Sequence, residues 1–226
     1  MTHIMLLTMT ASFAGPATVD AAEPTIGLIG DSTVADTYGW GPAFAKRFDD
    51  RTTVLNYARN GARLDTLSKR LDELLEKKPD YVLIQFGHND QKQYGPETYR
   101  EKLTDYIERV VAAGAQPVVL SSVTRRNFGP DGKIQPRSED VHGDLAAFST
   151  AAGDVARKHV VPFIDLYHIS VEHHNQLGPK ASAAYDFDPT DKTHFSPQGA
   201  AAIAGLIIDE LKVARPELAR RLKRPR

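Results

Sequence analysis

Ser32, Gly61, Asn89, Asp191 and His194 lie far apart in the chain, yet together they have the residue types of an acyl-transfer site. Such a site needs a nucleophile, a base to take its proton, a group that orients the base and donors for the oxyanion. Ser32 is the candidate nucleophile. It stands in Gly30-Asp31-Ser32, directly after an apolar run that stops at the glycine. His194 is the candidate base, with Asp191 three residues ahead to hold its ring. The backbone amides of Ser32 and Gly61 and the side-chain amide of Asn89 are the candidate oxyanion-hole donors. Each block also has an ordinary reading. Asp31 or Ser32 can cap a helix, and Asn60-Gly61 is a turn signal.

The elements that would have to gather these residues follow from the hydrophobic pattern. Apolar runs over 25–29, 53–57, 81–86, 117–123 and 160–166 read as strands. The run over 81–86 is almost wholly apolar, as a central parallel strand covered on both faces should be. Helical spacing covers 43–48, 64–77, 96–113, 138–158, 168–177 and, after Ser196-Pro197, 197–213. Strands that alternate with helices imply βαβ units, a parallel sheet and an α/β fold. Ser32, Gly61 and Asn89 each fall just past a strand, at the sheet edge where ligands bind in open α/β folds.

The ordered blocks Gly30-Asp31-Ser32, Gly61, Gly87-His88-Asn89-Asp90 and Asp191-Lys192-Thr193-His194 resemble those of the SGNH (GDSL-type) hydrolases, over residues 25–213. The resemblance implies a three-layer αβα, flavodoxin-like fold with a five-stranded parallel sheet. It also implies catalytic roles for Ser32, Asp191 and His194, an oxyanion hole of Ser32, Gly61 and Asn89, and no cofactor. Gly39-Trp40-Gly41, the run 85–92, Thr124-Arg125-Arg126 with Phe128, and Phe195 after His194 are similar to motifs of the rhamnogalacturonan acetylesterases within that family. One block departs: Gly61 is followed by Ala62-Arg63 where that subgroup has Arg-Ser. The expected activity is that of a serine esterase taking acetyl groups off a plant cell-wall polysaccharide, rhamnogalacturonan or pectin. The alternatives are a lipase, lysophospholipase or thioesterase on the same fold, or a non-catalytic carbohydrate-binding protein.

Candidate substrate-binding residues are Trp40, His88, Arg125 and Arg126. Trp40 offers either a stacking floor for a sugar or plain core packing. His88 is either structural or substrate-facing. Arg125 and Arg126, with Lys92 and Arg63, would make the mouth of the site basic and suited to the carboxylates of galacturonate. His168, His173 and His174 read as surface histidines and no metal site, since no carboxylate has ligand spacing to them. Asp186 and Asp188 read as loop-ordering residues, and Asp31 as a hydrogen-bonding residue behind the site.

Composition narrows the rest. The net charge of −1 gives no global field to recruit nucleic acid or an anionic membrane. The absence of cysteine excludes thiol nucleophiles, disulfides and Cys-ligated metals. Residues 1–22 carry one formal charge, Asp20, and an apolar run over 4–13 too short to span a bilayer. They read as a signal peptide, or else a disordered extension, and imply a secreted or periplasmic protein. The hydrolase domain is expected over 23–215, as a monomer, with residues 216–226 a solvated basic tail.

Overall fold

Short apolar runs, each closed by a glycine or a polar turn, build one sheet. The computed structural model describes residues 23–137 and 142–223; the expected leader, residues 1–22, lies outside the described residues. The strands are β1 (Thr25–Gly30), β2 (Thr53–Asn56), β3 (Tyr81–Gln85), β4 (Gln116–Leu120) and β5 (Phe163–Ile164). They lie in the order β2-β1-β3-β4-β5, and every neighbouring pair is parallel. The helices are α1 (Gly41–Ala45), α2 (Ser68–Leu75), α3 (Pro96–Ala112), α4 (Leu145–Lys158), α5 (Leu166–Ser182), α6 (Pro197–Ala214) and α7 (Pro216–Ala219).

Successive strand side chains point to opposite faces of a sheet. Ile26 and Leu28 of β1, Leu83 of β3 and Leu120 of β4 therefore pack with Phe44 of α1 and Ile203 and Ile207 of α6. Ile29, Val82, Ile84 and Val119 face the other way, onto Leu71 of α2, Leu103 and Ile107 of α3 and Phe148 of α4. The result is a three-layer αβα sandwich. β3 is buried along its whole length, as its unbroken apolar run required.

The strand order reverses direction between β1 and β3. In doubly wound sheets this switch point opens a crevice beyond the strands' carboxyl ends. The Gly30-Asp31-Ser32 turn and the turn that starts at Gly87 are its two sides. Gly30 cannot be replaced without moving the sheet, because a Cβ there would lie 2.5 Å from the Gln85 carbonyl oxygen.

Several elements differ from the sequence pattern, each for a local reason. The helix expected over 64–77 starts only at Ser68; before it, residues 63–67 form a turn in which the Leu67 amide donates to Arg63 O and the Leu64 amide to the Asp90 carboxylate. Of the one expected over 138–158, residues 138–141 lie outside the described residues, and the helix begins at Leu145, where Asp144 accepts from the Ala147 amide at 2.9 Å. Such a cap contributes about 1 kcal/mol. The helix expected over 168–177 runs on to Ser182 through a kink at Gly178, φ 74°. The basic tail expected over 216–226 is not a free tail as far as Lys223. Leu218 is 2% exposed in the core, Leu222 bridges to Phe48, and Arg221 pairs with Asp49. Leu218 and Leu222, four residues apart, give this basic stretch an apolar side.

Candidate active site

The site grows from β1 outward. After β2 the chain stays beside β1: the Tyr57 amide donates to Leu28 O at 2.8 Å and the Arg59 amide to Gly30 O at 3.0 Å. Gly61 thus comes two residues past Gly30's partner, at the same edge of the sheet, in a left-handed turn with φ 73°. On the other flank Gln85 pairs with Gly30, which brings the following turn and Asn89 to the same edge. Asn89 Nδ2 donates to Ala62 O at 3.1 Å, tying the third block to the second. That amide carries two hydrogens, so one remains to meet an oxyanion.

The loop before α6 supplies the rest. His194 Nε2 lies 2.7 Å from Ser32 Oγ, and His194 Nδ1 lies 2.7 Å from Asp191 Oδ2. The other Asp191 oxygen accepts from the amides of Thr193 and His194 at 2.9 and 3.0 Å. Burial would raise the Asp191 pKa, but the His194 amide and ring and the Thr193 amide hold it below the usual carboxylate range. Directly after this segment, Ser196 caps α6 through the Gly199 amide, and Pro197 occupies its first turn. Asp186 and Asp188 do not orient His194. Asp188 accepts the Thr190 and Asp191 amides, and the buried Asp186 pairs with Arg126 and Lys192.

Beneath Ser32 runs a chain of buried polar groups. Trp40 Nε1 donates to Gln85 Oε1 at 2.8 Å, Gln85 Nε2 to Thr33 Oγ1 at 2.6 Å, and Thr33 Oγ1 to Asp31 Oδ1 at 2.7 Å. His88 Nδ1 stands 3.5 Å from the other Asp31 oxygen. Burial pushes Asp31 upward, but His88 and Thr33 together bring it below its ordinary value. Burial lowers the His88 pKa despite Asp31, which leaves a charged carboxylate beside a neutral ring.

Three of the four expected substrate-binding residues are placed elsewhere. Trp40 is fully buried and cannot stack on a ligand; its indole N–H is satisfied by Gln85 from the neighbouring strand. His88 is 2% exposed and packs against Asp31, behind the site. Arg126 is 3% exposed; its guanidinium bonds Asp186 and the His194 carbonyl, so it braces the loop that carries the base. Arg125, largely buried too, still lines the cleft against Asp191. The histidines of α5 are not all on the surface. His168 is exposed, His173 half-buried and His174 fully buried against Ser182 Oγ at 2.9 Å, because the chain beyond the kink folds back over it. Burial pulls His174 down to about 3.

The pattern did not single out the two rings beside the base. The Tyr38 ring lies 5.0 Å from the His194 ring, and Phe187 packs edge-on against Tyr38. Phe187 sits between Asp186 and Asp188 in a polar loop, an apolar residue with no periodic partner, and that isolation is the signal that could have found it. Asp90 is the other. Its carboxylate accepts the Leu64 and Gly87 amides, both at 3.0 Å, and the Tyr94 hydroxyl, clamping together the two turns that hold Gly61 and Asn89.

A doubly wound sheet with a serine, histidine and aspartate in line at its switch point has the geometry of a serine esterase. The GDSL-like lipase/acylhydrolase family profile matches residues 28–202, and the chain belongs to that family. It is a carboxylic ester hydrolase of the SGNH type. Rhamnogalacturonan acetylesterase RhgT of Bacillus subtilis is 33% identical over 211 residues, covering 82% of this chain and 88% of its own. Among solved structures, a lipase/acylhydrolase from Enterococcus faecalis superposes with TM-score 0.65 at 23% identity, over 90% of this chain and 99% of that one. An acetylxylan esterase, Axe2 of Geobacillus stearothermophilus, does so with TM-score 0.64 at 16% identity, over 83% and 94%. These two likenesses concern the fold. Among the described residues no helix is long and apolar enough to cross a membrane.

Proposed function

We propose that the enzyme removes O-acetyl groups from a plant cell-wall polysaccharide, and that rhamnogalacturonan, a pectic backbone, is its substrate. Ser32 Oγ attacks the acetyl carbonyl while His194 Nε2 takes its proton, and Asp191 stabilises the imidazolium that forms. The Ser32 and Gly61 amides and Asn89 Nδ2 receive the oxyanion. When the tetrahedral intermediate collapses, the sugar oxygen leaves with the proton from His194. Water then attacks the acetyl-serine by the same route in reverse, releasing acetate and restoring the Ser32 hydroxyl.

The observation that carries the substrate is the cleft against the base-bearing loop. It has a volume of about 640 Å³ and is lined by Arg125, Asn127, Arg137, Thr190 and Lys192, with Asp188 and Asp191. Arg125, Arg137 and Lys192, the last paired with Asp186, bring cationic groups to this cleft on a body of net charge −1. A galacturonate carboxylate is the complementary partner. The name of the relative RhgT supports the same reading. A cell-wall substrate also goes with export of the protein, for which residues 1–22 would be the signal.

Acetate release from acetylated rhamnogalacturonan and from neutral acetylated xylan, measured across a salt series, tests this. The pectic substrate should give the higher kcat/KM, and its KM should rise with salt, since exposed charges are screened over about 8–10 Å at physiological ionic strength. Equal kinetics on both polymers, insensitive to salt, would remove the pectic assignment. Preference for long-chain acyl esters over both would remove the carbohydrate reading.

A further inference from the structure

The segment from Phe187 to Ser196 borders two clefts. Residues 188 and 190–193 line the basic one, and Phe187, Phe195 and Ser196 line a second of about 460 Å³. We propose that Tyr38 and Phe187 in this second cleft form a platform on which a pyranose ring of the substrate lies while its acetyl group is presented to Ser32. This deepens the carbohydrate reading above and rests on it.

The rings are placed for that task. Phe187 is 47% exposed although it is a large apolar side chain, and it meets Tyr38 edge-on, at 4.7 Å between centroids and 83° between planes, so that one ring forms a floor and the other a wall. Tyr38 in turn reaches the His194 ring, so the surface is continuous with the base. Both residues are also fixed through their backbones to the base. The Phe187 amide donates to His194 O at 3.2 Å, and the Phe195 amide to Tyr38 O at 3.1 Å. A platform already held in place loses little freedom when a ligand lands on it.

The lining matches a sugar better than an acyl chain. A pyranose presents an apolar C–H face and a rim of hydroxyls, and aromatic residues with a few polar groups suit such an amphipathic ring. Pro42, Ala43, Pro197 and Ala200 extend the apolar floor, while Asp36 and Lys46 offer hydrogen-bonding groups. A long acyl chain would leave those charged groups without partners against hydrocarbon. The stacking role that the sequence pattern offered to Trp40 thus passes to two smaller rings, Phe187 on the base-bearing loop and Tyr38 packed against it.

The test uses Phe187, since Tyr38 also touches the base. In a Ser32→Ala background, which stops turnover, acetylated rhamnogalacturonan oligosaccharide is titrated calorimetrically into protein with and without Phe187→Ala. Loss of the ring should raise Kd about 3- to 10-fold, and Phe187→Tyr should restore it. With Ser32 present, Phe187→Ala should raise KM for the oligosaccharide several-fold more than it alters kcat/KM for 4-nitrophenyl acetate. An unchanged Kd in a protein whose wild type deacetylates glycans overturns the platform alone. A matching fall on both substrates, with unchanged Kd, shows that the ring only supports His194. A loss confined to 4-nitrophenyl octanoate assigns the cleft to an acyl chain. If the wild type releases acetate from no glycan, the carbohydrate reading and the platform fall together.

Discussion

Two buried aspartates stand behind this site, each in a turn that follows a central strand, and they behave in opposite ways. Asp31 follows β1 and underlies Ser32; Asp90 follows β3 and underlies Asn89. Both are fully buried. Asp31 meets Thr33 through its backbone amide and hydroxyl and has His88 beside it, and its carboxyl is held below the ordinary range. Asp90 instead accepts from two amides and a tyrosine hydroxyl. Burial pushes it up to about 6, against those hydrogen bonds. The comparison separates two tasks that similar turns perform. The first turn keeps a negative charge behind the nucleophile, and the second uses a carboxylate as a multiple acceptor to hold backbone in place.

The largest expected effect breaks the nucleophile half. Ser32→Ala should leave the fold intact and reduce ester turnover by roughly 10⁴- to 10⁶-fold, to what oxyanion donors and binding supply. Burst and steady-state assays on 4-nitrophenyl acetate, with circular dichroism as the control for folding, read this directly. A folded variant that retains near-normal turnover would remove Ser32 from the chemistry.

A smaller effect addresses the other half. Asn89 would meet a charge that exists only in the transition state, so Asn89→Ala should lower kcat about 10²- to 10³-fold with KM little changed. A rise in KM at constant kcat would instead make Asn89 a ground-state contact. The difference between the two variants then measures how unequally the two turns share the reaction.

The residues that this comparison turns on were unequally legible in the sequence. Ser32, Asn89 and His194 could be located because strands closed by glycine and an Asp–His spacing of three leave marks that need no coordinates. The parallel sheet was legible for the same reason, since alternating apolar periods dictate it. What stayed hidden is contact across the sheet. Trp40 meets Gln85, 45 residues away on another strand, and nothing in either segment says that the indole points inward. Arg126 read as a substrate-binding cation at the mouth of the site because its partner Asp186 is 60 residues further on, in a loop whose path no periodicity sets. Asp90 was visible as a member of its block, but its clamp on Leu64 appears only when two turns from different strands meet.

The smallest effect is the sharpest test of the contrast, because Asp90 and His88, the ring beside Asp31, respond to pH with opposite signs. Asp90 has a folded pKa of about 6 against about 3.9 unfolded. Between those values the native state holds the proton more tightly, so this group's contribution to stability is fully present below about pH 4 and declines as pH rises through about 6. The full difference is roughly 2–3 kcal/mol. His88, lowered by burial, behaves the other way. The fold requires its neutral ring, so its contribution holds above the unfolded value of about 6.5 and is lost as pH falls. Asp31, lowered as well, adds to that loss at still lower pH. Thermal melts of the wild type, Asp90→Asn and His88→Gln from pH 4 to pH 7 separate the two. The wild-type advantage in Tm over Asp90→Asn should shrink as pH rises, and its advantage over His88→Gln should grow. Parallel curves for both variants would mean that neither group changes its titration on folding. Curves of reversed order would mean that the fold holds Asp90 ionised and His88 protonated.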